Sequence, residues 1–570
     1  MKRSLVGAAL VGVVGLPGFG ELAHAQAPSP APAAASAPAV KTPDPAAPPQ
    51  VPLAPQVKGS RPRVNPALVT PASTTLQPAL KDLASPASLA LPVKPDQVRI
   101  QQLRPIGLAE SLNLAEVNNP NLKAVASQVE QAQSNLRAQI ALWYPTLNLN
   151  ANSLPSYTGG QQFSLNGFSG SGGTQLTDGL TATNLWRMTA ALEASWGLIN
   201  PTRTPQIAAA RDEFEKAKNQ YLIGLRDLRL QVAQSYFNLQ RADDGVRIGQ
   251  ESVRASLVSL RDAKARYQAG VDTKLAVLQA ETQLARDQQV LSDFLAQQDV
   301  ARRTLAAFLD LPQTVTPTAK DPSGVVGTWQ ATLQDSIVAA YTFREELDQA
   351  ILDISIANSN ANTQLGAVQP FLNIVNNLGA SRNTGYFNAD VGTGQFQTPP
   401  DNYGWNVDNT IGLNMSWRLF DGGAARARYR QGKQRAQENT FRFAQRRDAI
   451  RQEVETSFFE LEKNNRNITT TAREVISARE SLRLARLRFQ AGVTTQREVV
   501  DTQRDLTQAE VRHSNAINEY NSRLVELQRR TGLDQIAVCK APSLPSEKPV
   551  GASSVPVEPS PLIPGCQAAR

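Results

Sequence analysis

Apolar residues return every seven positions along two stretches of the chain. Val232, Leu239, Val246, Val253, Leu260 and Tyr267 form one series. Val454, Leu461, Ile468, Val475, Leu482 and Phe489 form the other, each displaced by 454 − 232 = 222 residues from its counterpart. An unbroken heptad rhythm predicts two long helices that pack along an apolar seam. Its recurrence predicts two copies of one structural unit. The positions three residues beyond each large apolar side chain are mostly small: Ser235, Ala242, Gly249, Ser256 and Ala263, then Ser457, Asn464, Thr471, Ala478 and Ala485. Large against small lets helices approach closely. The helices are expected from about Thr204 to Gln268 and from about Ala424 to Gln490. At 1.5 Å per residue each is on the order of 100 Å long.

The two series end in the same words. Arg266-Tyr267-Gln268-Ala269-Gly270-Val271 returns as Arg488-Phe489-Gln490-Ala491-Gly492-Val493. A glycine there predicts a tight turn, after which the rhythm resumes in a returning helix: Val277, Leu284 and Leu291 in the first copy, Val499 and Leu506 in the second. His513 stands where the first copy has Leu291, and reads as a packed seam residue rather than a ligand.

Upstream of each long helix the period changes from seven to two. Leu147, Leu149 and Ala151 alternate with Asn148, Asn150 and Asn152. Met188, Ala190, Leu192, Ala194 and Trp196 alternate with Thr189, Ala191, Glu193 and Ser195. Ile411, Leu413, Met415 and Trp417 alternate with Thr410, Gly412, Asn414 and Ser416, and a less regular strand runs from Phe371 to Leu378. One apolar face, one small polar face and aromatics at the strand ends (Trp143, Tyr144, Trp186, Trp196, Trp417, Phe420) fit strands that face lipid. Gly-rich connections, Ser156 to Asn184 and Ser381 to Asn409, read as long loops at one rim. Four strands cannot close a membrane pore, and an open sheet edge in lipid leaves backbone groups unsatisfied. The barrel must therefore be completed by further copies of the chain.

The remaining segments set the organisation. Residues 1–25 read as a signal peptide: Lys2 and Arg3, an apolar run from Leu5 to Leu16, then Ala23-His24-Ala25. Residues 26–104 are rich in Pro and Ala and are expected to form a flexible arm. The first copy covers 105–314, a linker 315–331, the second copy 332–536, and a Pro-rich tail 537–570. Within each copy the order is a helical stretch (Leu108 to Leu142, broken near Asn118-Asn119-Pro120, and Leu333 to Val368), two strands and a long helical hairpin. Beyond the signal no apolar run approaches the ~18 residues of a transmembrane helix.

Composition removes other classes of function. Net charge is +8, but Lys and Arg are interleaved with Asp and Glu, so no nucleic-acid partner is expected. Two histidines and two cysteines are poor material for a metal site or thiol catalysis, and neither a catalytic set nor a cofactor motif is present. Cys539 and Cys566 are a candidate disulfide in an oxidising compartment.

The chain resembles the TolC-type outer-membrane efflux protein family. The resemblance is carried by Asn119-Pro120-Asn121-Leu122, by Trp143-Tyr144-Pro145-Thr146-Leu147, by Trp417-Arg418-Leu419-Phe420-Asp421-Gly422-Gly423, and by the paired Gln-Ala-Gly-Val turns, over about residues 105 to 536. It implies an α+β membrane protein: a homotrimer building a twelve-stranded outer-membrane β-barrel, continuous with a long periplasmic α-helical coiled-coil barrel. It implies an exit duct for tripartite efflux pumps or type I protein secretion, without enzymatic activity. The implied partners are outer-membrane lipid, a periplasmic adaptor protein and an inner-membrane transporter. By the same resemblance, Gln268, Ala269, Gly270, Val271, Gln490, Ala491, Gly492 and Val493 are the adaptor-contacting tips. Glu498 and Asp501 would line the entrance constriction, six carboxylates after three-fold repetition, with Arg497 and Arg504 nearby to salt-bridge the closed tip. Ala276 and Gln279 hold the equivalent places in the first copy. The competing reading is a periplasmic coiled-coil adaptor or scaffold without a pore. A surface adhesin on a barrel anchor is a third, which would not require a duplicated unit.

Overall fold

A computed structural model describes residues 72–87, 89–170, 173–390, 404–533 and 536–538. The signal segment, most of the arm, and the tail with Cys539 and Cys566 lie outside the described residues.

Each copy opens with a broken helix. In the first, α1 (Leu108–Asn118) gives way to α2 (Pro120–Ile140). The Asn119 side chain accepts hydrogen bonds from the backbone of Asn121 at 2.9 Å and Leu122 at 3.2 Å, and Pro120 supplies the first helical residue. An Asn cap followed by Pro is the local chemistry of a helix start. In the second copy, α5 (Leu333–Phe343) and α6 (Glu345–Gly366) flank Arg344, 225 residues after Asn119. The uninterrupted helix expected there is broken. No proline does it; Arg344 leaves the helix and its fully buried guanidinium binds Glu346 at 2.9 Å and Glu453 at 2.6 Å.

The strands form one antiparallel sheet in the order β2-β3-β6-β7, with β2 Thr146–Gly170, β3 Gly173–Ile199, β6 Phe371–Asp390 and β7 Gly404–Ser416. Within the described residues the expected loops are strand for most of their length; residues 391–403 of the second lie outside the described residues. β2 and β3 remain paired from Thr146↔Ser195 to Gly170↔Gly173, through one irregularity between Asn152 and Ser156. Backbone hydrogen bonding sustains the ladder where neither face is uniformly apolar, so side-chain alternation could not reveal it.

The long helices are α3 (Arg203–Gln268) and α7 (Ala424–Gln490), each followed by a returning helix, α4 (Lys274–Leu309) and α8 (Gln496–Thr531). Most heptad positions face the hairpin interior: Val232, Leu239, Val246 and Leu260, and Val454, Leu461, Ile468, Leu482 and Phe489, are buried, while Tyr267 at the end of the first series is 47% exposed. The small positions permit close approach. A Cβ on Gly249 would come within 3.1 Å of Phe294 and 3.2 Å of Leu291 on α4. The second copy has Thr471 opposite His513, 3.1 Å from Oγ1 to Nδ1. His513 is indeed a seam residue; burial lowers its pKa below the usual imidazole value, against the raising effect of Asp244.

Two differences concern the edges of the copies. The arm is not wholly loose: Leu80 and Leu83 are buried with Ile106, Leu114, Phe237 and Leu309. The Ser73 and Gln77 amides donate to Glu116 at 2.6 Å and Asn113 at 3.2 Å, and Asn118 donates to the Leu83 carbonyl at 2.8 Å. Composition alone concealed this, because two leucines suffice to anchor a strap whose polar backbone is satisfied by α1. The linker also contains strands. β4 (Val315–Ala319) pairs in parallel with β1 (Gln102–Ile106), and β5 (Gly327–Trp329) pairs with β8 (Ile536–Val538).

Charge is concentrated where α3, α6, α7 and α8 meet. Arg529 bridges Asp227 at 2.6 Å and Glu346 at 2.9 Å, Arg530 reaches Glu453 at 2.9 Å, and Arg226 lies 3.1 Å from Glu345. Burial opposes ionisation of Glu346, but the guanidiniums of Arg344 and Arg529 win and hold its carboxyl far below the usual range. Glu345 goes the other way: burial outweighs Arg226 and raises it.

Candidate functional site

Three features stand out: a lipid-patterned sheet, a pair of helix tips and an acidic turn behind one tip. The sheet sorts its residues by parity. Leu149 and Leu413 on the apolar face are 72% and 69% exposed, and Leu147, Ile411 and Met415 are exposed beside them. Exposed apolar side chains in such number call for a hydrocarbon environment. The opposite face carries Asn148, Asn150, Asn152, Arg187, Glu193, Asn377 and Asn414. There Asn150 donates to Glu193 at 3.3 Å and Arg187 to Asn383 at 3.3 Å. All six expected girdle aromatics are exposed. Trp186 and Trp196 share β3; ten residues at about 3.3 Å, tilted by about 40°, span about 25 Å along a bilayer normal, the height of an outer-membrane apolar band. Among the described residues β2 pairs only with β3 and β7 only with β6, so both outer edges of the sheet lack a partner within the chain.

The two tips are built alike. Gly270 has φ +72° and Gly492 φ +74°. The amides of Gly270 and Val271 return to the carbonyls of Tyr267 and Arg266 at 3.0 Å, and those of Gly492 and Val493 to Phe489 and Arg488 at 3.0 Å. This closure satisfies the last helical carbonyls and requires a left-handed residue that only glycine adopts without cost. It leaves Val271 65% and Val493 67% exposed, so each turn offers an apolar apex. The structure brings the tips together: the Arg266 guanidinium lies 4.6 Å from the Phe489 ring centroid. Nothing in the sequence signalled this contact, which joins residues of different copies.

Glu498 and Asp501 lie in the first turns of α8, but they face different partners. Arg488 on α7 meets Glu498 at 2.7 Å, and Thr494 donates to the same carboxylate. Asp501 lies 3.7 Å from both Arg497 and Arg504 on its own helix. Behind them, from Asn238 to Ser259, the α3–α8 contact carries a row of polar pairs. Asn238 meets Asn518 at 3.3 Å, Asp244 meets Ser514 at 3.0 Å, Ser252 meets Thr507 at 3.3 Å and Ser259 meets Gln496 at 2.6 Å. Apolar heptad seams dominate each hairpin, with Ser256–Asp287 and Thr471–His513 as polar contacts within them, while a row of polar pairs joins α3 to α8. The heptad rhythm marks the apolar contacts and carries no signal of the polar ones. Among the described residues there is no cluster able to hold a metal ion, and no helix long and apolar enough to cross a membrane.

Lipid-faced strands, tunnel-length helices and paired apolar tips in one duplicated chain define an outer-membrane channel. Matching of the outer membrane efflux protein profile over residues 111–310 and 337–533 places the chain in that family. The pyoverdine export outer membrane protein OpmQ of Pseudomonas putida is 24% identical over 466 residues, covering 77% of this chain and 90% of its own. Protein CyaE of Bordetella pertussis is 22% identical over 438 residues, covering 76% and 85%. The open state of the MtrE outer membrane channel of Neisseria gonorrhoeae superposes with a TM-score of 0.56 at 17% identity, covering 79% of this chain and 95% of that one. The chain is an outer-membrane channel protein.

Proposed function

We propose that three copies of this chain form a passive exit duct that carries cargo from a periplasmic adaptor and an inner-membrane transporter across the outer membrane. The unpaired edges of β2 and β7 carry this reading. An edge strand in hydrocarbon must find a partner, and twelve strands from three chains close a barrel with none left over. The duct has no energy source of its own, so transport is driven by the inner-membrane partner. The exposed Val271 and Val493 apices are the adaptor's contact points. Pyoverdine export is named for one relative; the duct here serves small molecules or polypeptides handed to it by its own pump.

The entrance lies at Glu498 and Asp501, where three-fold repetition brings six carboxylates together. Their arginine partners make this an ion-paired closure rather than a bare acidic ring. Glu498→Ala with Asp501→Ala is expected to weaken block by multivalent cations; unchanged block would remove these carboxylates from the constriction. For the duct itself, the purified protein placed in a planar bilayer should give discrete current steps. Full solubility without detergent and no current would favour the adaptor reading instead.

A further inference from the structure

The sheet joins α7 through Trp417-Arg418-Leu419-Phe420, four exposed residues at the helix-side rim of the apolar face. The stretch that follows is strongly basic. From Gly422 to Gln437 the chain carries Arg426, Arg428, Arg430, Lys433 and Arg435 and no acidic residue. Arg426, Arg428 and Arg430 are exposed, and all lie within about 10 Å of the helix start at Ala424. Among the described residues neither these three nor Arg418 forms an ion pair. Arginines further along α7 do: Arg442 with Glu438 at 2.6 Å, Arg447 with Asp448 at 2.9 Å and Arg451 with Glu455 at 2.8 Å. The one nearby acid, Asp421, feels the charge of Arg418, but its carboxylate accepts the backbone amides of Gly423 at 2.8 Å and Ala425 at 2.7 Å.

The same junction in the first copy is built otherwise. Arg203 is buried; its guanidinium lies 4.2 Å from the Trp143 ring centroid and donates to the Gly197 carbonyl. The next arginine, Arg211, is followed by Asp212, Glu213 and Glu215. In the first copy the sheet-to-helix joint is therefore braced without a row of exposed arginines.

We propose that Arg418, Arg426, Arg428 and Arg430 form a collar that binds the phosphate groups of anionic lipids in the periplasm-facing leaflet. This rests on the sheet spanning the outer membrane. Two observations select lipid as the occupant. The charge is complementary to phosphate, which guanidinium binds bidentately. The collar is also continuous with Trp417, Leu419 and Phe420, apolar and aromatic groups suited to the hydrocarbon–headgroup boundary. An anionic surface attracts each nearby arginine with an effect of about fivefold in binding.

The test uses the full-length assembled protein in mixed vesicles of phosphatidylcholine and phosphatidylglycerol. Lipid retention is read by native mass spectrometry at low and high salt. Preferential retention of phosphatidylglycerol that fades with salt is expected. It should fall at least tenfold in the R418Q/R426Q/R428Q/R430Q variant and persist in the corresponding lysine variant. If the glutamine variant fails to assemble, the lipid preference and salt dependence of the unaltered protein and of Arg428→Gln decide. No preference, or preference unchanged in the glutamine variants, overturns the collar. So does competition by free inorganic phosphate as effective as by lipid, which would mark an isolated phosphate site. Current recorded in the same bilayers separates the two claims: channels without lipid preference remove the collar alone, whereas absence of channels removes the duct.

Discussion

Arg266 at the end of α3 stacks on Phe489 at the end of α7, 4.6 Å from guanidinium carbon to ring centroid. Phe489 belongs to an apolar cluster with Leu482, Ala485, Val499 and Leu506, so one partner is fixed in its own hairpin while the other reaches across. The stack is a direct link between the two tips, at the opposite end of the α3–α8 contact from the Arg529–Asp227 ion pair. A double-mutant cycle with Arg266→Ala and Phe489→Ala should give a coupling of about 1 kcal/mol in thermal stability. Arg266→Ala alone should raise single-channel conductance. Zero coupling with unaltered conductance would show that the stack does not restrain the tips.

Packing of the first hairpin depends on glycine at 249, where an added Cβ meets both Phe294 and Leu291. Gly249→Ala should cost about 1–3 kcal/mol by overpacking. The equivalent site in the second copy tolerates a larger side chain, because Thr471 already fits against His513. Thr471→Ala should therefore cost less. Equal losses, measured by chemical denaturation in detergent, would contradict the copy-specific fit.

The buried ion network makes stability depend on pH. Glu346 has a folded pKa far below its ordinary value of 4.5, so its contribution is fully present above about 4.5 and is lost as pH falls below it. Glu345, raised by burial, acts with the opposite sign and offsets part of the loss. Glu346→Gln removes one carboxylate from Arg344 and one from Arg529, leaving them Glu453 and Asp227, and should cost about 3 kcal/mol at neutral pH. It should also flatten the acid dependence of Tm. A variant as acid-sensitive as the parent would place that dependence elsewhere.

The two faces of the sheet should respond oppositely to charge. Leu413→Arg on the apolar face should cost about 2–4 kcal/mol if it sits near the bilayer midplane. Asn414→Arg, on the other face, should fold normally and alter ion selectivity instead. Spin labels at Leu149 and Leu413 report the same thing directly, and an aqueous signal at either would contradict the lipid-facing assignment.

Much of the fold was legible because burial is periodic. Val454, Leu461 and Ile468 recur at the helical heptad and are buried, and Leu147, Leu149, Ile411 and Leu413 alternate and share one face. The turns were legible because Gly270 and Gly492 meet a conformational demand that other residues resist. What stayed hidden lacked such a period. The strand extensions past Ser156 and Ser381 are held by backbone pairing, and the break at Arg344 is held by buried charge rather than by proline. The strap around Leu80 and Leu83 hides in a Pro-rich composition. The acids at 498 and 501 were visible with Arg497 and Arg504 beside Asp501, but the pairing of Glu498 with Arg488 on α7 depends on three-dimensional arrangement.

The central claim is that one chain supplies four strands of a larger barrel. The mass of the detergent-solubilised assembly, measured by light scattering with the detergent contribution subtracted, tests it most directly. Three chains of up to 61.6 kDa each are expected. A stable monomer in its native membrane lipid, with β2 and β7 unpaired, would contradict it.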